Sequence, residues 1–203
     1  MTTKSTTKKT TSKPKASVVT GPSQTIPNLP KNPFVFEVLD LVSRQRSKAK
    51  KIAALKKYEH VSLKAILIWN FDESIVTLLP EGDVPYSGFE EQSKYDGGLS
   101  AKITNEVRKM HETGSFSLGS SDRNGHTTIR REYKNFYHFL KGGNPGLNSV
   151  RRETMFINVL EGLHPLEAEI ICLCKDKKLS DKYSITKEIV SEAYPDIKWG
   201  GRS

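Results

Sequence analysis

From Pro165 to Leu173 the chain reads PLEAEIICL, and wound at about 100 degrees per residue this stretch is apolar nearly all round through Leu166, Ala168, Ile170, Ile171 and Leu173. A helix of that kind has no face to offer to water. Other elements must enclose it, so the rest of the chain has to supply apolar stripes that can wrap a central core helix.

The stripes are there. Asn32 with Pro33 reads as an N-cap followed by proline at the first helical position, and Val35, Val38, Leu39 and Val42 repeat at helical spacing, which predicts a first helix over 33–46. Ser47 is suited to cap a second, with Ile52, Leu55 and Tyr58 on its apolar side. Ser62 is suited to cap a third through Leu63, Ile66, Leu67 and Asn70. From Ser74 to Leu79 a short β-branched stretch fits either a brief strand or an extended connector. Proline, glycine and acidic residues make a long loop or lobe boundary of 80–98, with Tyr86, Phe89 and Tyr95 as its anchors. Ser100 opens a helix with a narrow stripe of Ile103, Val107 and Met110, and a glycine and serine loop spans 114–125.

The clearest periodicity lies in 126–141, where Ile129, Tyr133, Phe136 and Leu140 share one helix side and Gly142 and Gly143 mark the end. Ser149 is suited to cap a helix burying Phe156, Ile157, Leu160 and Leu163. After the central helix, whose end carries Lys175 to Lys178, Thr186 is suited to cap a short last helix through Ile189, Val190 and Ala193. The expected fold is mainly α: one compact multi-helix domain over 33–203 with long loops, or two lobes, 33–79 and 99–203, joined by 80–98.

The first thirty-two residues are of another kind. They hold six lysines, eight threonines, four prolines and no acid, and so supply six of the nine net positive charges. Such a composition cannot bury enough apolar surface to offset the entropy of ordering, so 1–32 is expected to be a disordered basic arm. A flexible cation suits a polyanion, because it can follow phosphates without a fixed geometry. Lys4, Lys8, Lys9, Lys13 and Lys15 are therefore candidate nucleic-acid contacts.

Two positive segments of the body join them. Seven cations and no acid fall within 44–57, from which Lys48 and Lys51 are candidates, although the lysines scatter around the helix axis. On the 126–141 helix Arg130, Arg131, Lys134, His138 and Lys141 project within about 100 degrees of one another, with Tyr137 at the margin. Cations for a phosphate backbone beside a flat ring for bases are what a nucleic-acid groove requires. The bland alternative is a solvated face whose arginines pair with Glu132 or Glu153. Glu153, on an apolar helix side, is expected to form a semi-buried ion pair with an arginine.

No catalytic, cofactor or metal site is expected. Cys172 and Cys174 stand about 200 degrees apart on one helix and can neither bridge nor share an ion, which leaves them to core packing. The five histidines show no metal-ligand spacing, and the glycines of 142–146 are followed by no Gly-Lys-Ser or Gly-Lys-Thr. No apolar run approaches the roughly 18 residues a membrane span needs, and nothing resembles a secretory signal, so residence in a reducing cytoplasm is expected.

The string FYHFLKGGNPG over 136–146, followed by RRETMFINVLEGLHPLEAEIICLCKDKKLSDKY over 151–183, resembles a family of small proteins of unknown function from marine tailed phages, chiefly T-even-like myoviruses of cyanobacteria. LPEGDVPY at 79–86 has the same pattern. The resemblance implies a phage gene expressed in the cytoplasm of an infected bacterium and brings no catalytic residues. The basic second helix and the arm depart from that pattern. The function these features imply is a non-enzymatic, nucleic-acid-associated accessory, with DNA preferred over RNA as partner. The alternative is a protein-interaction module, either a virion component or an adaptor for a phage or host enzyme.

Overall fold

The computed structural model describes residues 26–84 and 127–201, together with positions 101, 104, 105, 108, 109 and 112 of an intervening helical stretch. The expected arm from 1 to 25, the 80–98 loop beyond residue 84, the Ile103, Val107 and Met110 stripe and the 114–125 loop lie outside the described residues.

The described residues are mainly helical, as the periodicity predicts. Helices α1 (Val35–Ser43), α2 (Lys48–Lys57) and α3 (Val61–Phe71) make the front group. After them come a single turn α4 (Ile129–Glu132), a 3-10 helix η1 (Tyr133–Phe139), α5 (Ser149–Gly162), α6 (Pro165–Lys175), α7 (Leu179–Lys182) and α8 (Lys187–Ala193). No helix among the described residues is long and apolar enough to cross a membrane.

The central helix is α6, packed between α1, α3 and α5. Ala168, Ile170, Ile171 and Cys174 are fully enclosed, whereas Leu173 is only half-buried. One core joins both halves of the chain, with an aromatic cluster of Trp69, Phe136, Phe139 and Phe156 at its far side. The extended connector is confirmed in its shorter form: Thr77 pairs antiparallel with Leu140, with Leu78 N–H donating to the Phe139 carbonyl at 2.8 Å and Lys141 N–H to that of Val76 at 2.9 Å.

Several helix starts differ from the sequence expectation. Helix α1 begins at Val35, because Phe34 and not Asn32 occupies the cap position; its side chain has no cap oxygen, and Glu37 reaches back so that its Oε2 accepts the Phe34 N–H at 2.8 Å. Helix α3 is capped by His60, whose Nδ1 accepts the Ser62 N–H at 3.1 Å, and α5 by Asn148, whose Oδ1 accepts the Arg151 N–H at 2.8 Å. In these two helices the cap falls two residues and one residue before the expected serine. Ser47 and Thr186 do occupy their cap positions.

Residues 26–32 are part of the body and not of a loose arm. Lys57 Nζ donates to Asn28 Oδ1 at 2.7 Å, and the Tyr58 hydroxyl donates to the Pro27 carbonyl at 3.0 Å while accepting the Leu29 N–H at 2.8 Å. The last residue of α2 and its C-cap thus fasten the entering chain.

The largest departure is in 126–141. After one α-helical turn the chain tightens into η1, and the spacing of Tyr133, Phe136 and Phe139 explains why. With 3.0 residues per turn these three rings eclipse one another, whereas an α-helix would spread them over about 120 degrees. Phe136 and Phe139 are buried and Tyr133 is half-buried. Aromatic packing therefore selects the tighter helix. Its end is held by Arg152, 8% exposed, which donates from Nε to the His138 carbonyl at 3.0 Å and from Nη2 to that of Leu147 at 2.7 Å.

Gly143 is required by close approach, since a Cβ there would stand 1.9 Å from the Tyr137 carbonyl oxygen, while Gly142 is required by its φ of +80°. Gly143→Ala should lower stability by at least about 1–3 kcal/mol through forced backbone movement, and Gly142→Ala by about 1–2 kcal/mol through strain alone. Ile170→Ala should cost about 2–5 kcal/mol, and Leu173→Ala clearly less because water already reaches it. Urea unfolding midpoints at constant slope check all four values.

Candidate functional site

The residues expected to form one basic face are divided by the fold. Arg130 turns inward, and its Nε donates to the Pro33 carbonyl at 2.9 Å. On α2, Lys48 pairs with Glu192 of α8 at 2.6 Å, and Lys51 Nζ bonds the Ser184 carbonyl and, at 2.8 Å, its hydroxyl. These three cations fasten the body together. His138 is half-buried, with Nδ1 2.9 Å from the Asn144 amide nitrogen.

The others stay outside. In η1, positions three apart align, so Lys134 and Tyr137 share one edge. Tyr137 is 48% exposed and its ring lies against the His138 ring with centroids 3.9 Å apart. Arg131 and Lys141 are exposed nearby in sequence, before and after η1. The ammonium groups of Lys134 and Lys141 make no ion pair or hydrogen bond among the described residues. The five arm lysines, Lys4, Lys8, Lys9, Lys13 and Lys15, lie outside the described residues, as do the loops on which the interaction-module alternative rests.

A second cluster has no forerunner in the sequence reading. Glu167, in the first turn of the central helix, is completely buried, and its two oxygens accept the Val35 N–H at 2.9 Å and the Ile129 N–H at 2.8 Å. One carboxylate thereby caps the first residue of two other helices. Glu37, 3% exposed, stands close enough to raise its pKa by like charge, and Arg130 is the nearby cation. His164 closes the cluster, its ring packing against those of Phe34 and Phe36 with centroids 5.1 and 5.0 Å away, while its Nδ1 accepts the Leu166 N–H at 3.2 Å. Burial pushes Glu167 up to about 7 against the opposing pull of its two N–H donors and Arg130. Burial also raises Glu37, whose Oε1 has no hydrogen-bond partner among the described residues. Sealed from solvent, the cluster joins helices and is not arranged to meet a substrate. Its signal in the sequence was a glutamate at the third position of an otherwise apolar helix.

Glu153, the carboxylate for which an arginine partner was expected, forms no such pair among the described residues and lines a small cavity with Lys175 and Phe156. Lys175 is itself buried, with Nζ donating to the carbonyls of Pro80 at 2.7 Å and Gly82 at 3.0 Å. The cysteines take the packing role: burial pushes Cys172 up to about 12 and Cys174 higher still, and no metal-ligating cluster occurs among the described residues.

A third arrangement lies between the C-terminal end of α3 and the α6–α7 turn. It is an open cleft of about 470 Å³ lined by Asn70, Phe71, Glu73, Lys177, Ser180 and Lys187.

Residues 38–123 and 119–181 match the model of the Family of unknown function (DUF6433). The chain belongs to this family. No curated protein and no solved structure matches it. The matched residues include Trp69, Phe136, Phe139 and Phe156 of the aromatic cluster and Ile129, Arg130, His164 and Glu167 of the junction, whereas Phe34, Val35 and Glu37 lie before them.

Glu167 makes a pH signature. Its folded-state pKa lies above the unfolded value, so the proton it binds stabilises the folded state fully below about pH 4.5, and that contribution is lost as pH rises through about 7. Stability should therefore fall between these limits by on the order of 3 kcal/mol from this group. Glu167→Gln should be less stable at pH 5, having lost one acceptor, and should show a flatter profile from pH 5 to 7.5 in thermal melts.

Proposed function

We propose that the protein is a non-enzymatic accessory that contacts nucleic acid, DNA in preference to RNA, through Lys134, Lys141 and Tyr137 with the basic arm adding further phosphate contacts. The observation that carries this is a contrast. Lys48, Lys51 and Arg130 are taken up by the fold, whereas Lys134 and Lys141, before and after an exposed, histidine-backed tyrosine in the sequence, keep ammonium groups without partners among the described residues. Phosphate recognition needs uncommitted cations, and base stacking needs an accessible ring held at a fixed angle. The resemblance to tailed-phage proteins supports a setting in the cytoplasm of an infected bacterium, in replication, transcription or genome handling.

Each neutralised phosphate contributes about −0.9 to the slope of log affinity against log salt on duplex DNA. Replacing Lys134 and Lys141 together by glutamine should flatten the slope by about one to two units. Deleting residues 1–25 should flatten it by about two to five. Tyr137→Ala should weaken single-strand binding by about 1–3 kcal/mol, while Lys48→Gln should leave the slope unchanged. Filter binding over a salt series, with circular dichroism to verify folding, measures all of these. An intact protein that binds neither DNA nor RNA at low ionic strength overturns the proposal.

A further inference from the structure

Lys177 carries the only positive φ, +59°, of any described residue other than glycine. It follows the C-cap of α6, where the Lys178 N–H bonds the Leu173 carbonyl at 2.8 Å and the Lys177 N–H that of Cys174 at 3.2 Å. That pattern usually takes glycine at this position, because a Cβ crowds the left-handed backbone. The left-handed backbone sends the lysine back to the end of α3, where Nζ bonds the carbonyls of Trp69 and, at 3.0 Å, Asp72. An ammonium carries three N–H donors, so one remains beyond these two. Strain held in this way at the wall of a cleft points to a use for the side chain.

The rest of the wall is equally fixed. Asn70 is 5% exposed, and its Oδ1 is committed to the Leu179 N–H at 3.1 Å, which leaves the amide NH₂ as its donor toward the cleft. The buried Asp72 carboxylate holds the Ser74 N–H at 3.0 Å and, from the C-terminal tail, the Gly200 N–H at 3.1 Å, so the tail is pinned beside the cleft. Next to Gly200, Trp199 lies under Lys187, whose Nζ is 5.4 Å from the ring centroid. Three separate segments thus bring together two ammonium groups, an oriented amide, the Phe71 ring and two acceptors, Glu73 and the Ser180 hydroxyl oxygen, whose hydrogen goes to the Ile185 carbonyl at 3.1 Å.

We infer that this cleft binds a phosphate-bearing ligand of mononucleotide size. Its volume of about 470 Å³ falls in the range of small-molecule sites. Lys177, Lys187 and Asn70 are donors for an anionic oxygen cluster, Phe71 is an apolar surface for a base, and Glu73 accepts from a hydroxyl or amino group. The ligand is either a free nucleotide or the terminal nucleotide of a strand, and the two are separable by experiment. The site does not depend on the Lys134 and Tyr137 surface.

Trp69 and Trp199 are the only tryptophans, and Trp69 is 2% exposed, so changes in fluorescence excited at the red edge report chiefly on Trp199. Titration of the full chain with AMP should give a saturable change with a dissociation constant below about 1 mM, accompanied by a shift of the Asn70 side-chain amide in an NMR spectrum. Lys187→Gln should weaken AMP about tenfold, the usual loss of a charge-assisted hydrogen bond, and Ser180→Ala, which leaves every charge in place, should weaken it by less. Lys134→Gln with Lys141→Gln should leave AMP binding intact. A short 5′-phosphorylated oligonucleotide that competes with AMP identifies a strand end as ligand, and its failure to compete identifies the free nucleotide. Absence of saturation by AMP, inorganic phosphate binding as tightly as AMP, or AMP binding untouched by both Lys187→Gln and Ser180→Ala would each overturn the inference.

Discussion

The Glu167 carboxylate is the constraint on which the two halves of the chain depend. It sits in the first turn of the central helix and accepts the leading N–H of α1 and of α4, residues separated from it by 132 and 38 positions. Neither of those helices makes a side-chain cap bond from its own cap position, where Phe34 and Thr128 stand. An N-terminal N–H left unpaired in the interior costs about 1–3 kcal/mol, so this one side chain removes two such losses. The geometry also explains why a carboxylate is tolerated with no solvent exposure: it replaces water by two backbone donors, while the nearby Arg130 and its own raised pKa limit the cost of a buried charge.

The same economy appears at the opposite helix ends, with the signs reversed. Short helices and irregular connectors leave carbonyl groups without partners, and here basic side chains supply the donors. Lys175 serves Pro80 and Gly82, Lys177 serves Trp69 and Asp72, Arg152 serves His138 and Leu147, and Arg130 serves Pro33. A cation at a helix C-terminus also meets the negative end of the dipole, which favours Lys177 at the end of α3. These four cations therefore serve the fold before any outward field, and Arg152 and Lys175 do so from the interior.

Apolar periodicity is a local property, and it revealed α1, α2, α3, α5, α6 and α8 and the residues they bury. Capping by a distant residue is not local: nothing between 30 and 40 announces that Glu167 will complete α1, whereas Asn148, three residues before Arg151, is a local alternative to Ser149. The 3-10 helix was legible in principle, since Tyr133, Phe136 and Phe139 repeat at intervals of three, but Ile129 and Leu140 also fit the wider period and the two patterns overlap. Only the packing of those rings on Trp69 and Phe156 decides between them. The candidate cations were readable as charges and not as roles. Lys48 and Lys134 look alike in a sequence, yet one is spent on Glu192 and the other is not.

That division separates two responses to salt that a net charge of +9 would merge. Added salt screens exposed charges over a distance of about 8 Å at physiological strength and acts far less on buried ones. Arg152 and Lys175, 8% and 5% exposed, bond carbonyl groups across distances shorter than an intervening ion shell. Their contribution to stability should persist as salt rises. Lys134 and Lys141 face the solvent, where any attraction for phosphate weakens with the same addition. Any nucleic-acid affinity of the kind proposed should therefore fall over a range of salt in which the melting temperature scarcely moves, because one set of lysines acts through water and the other does not.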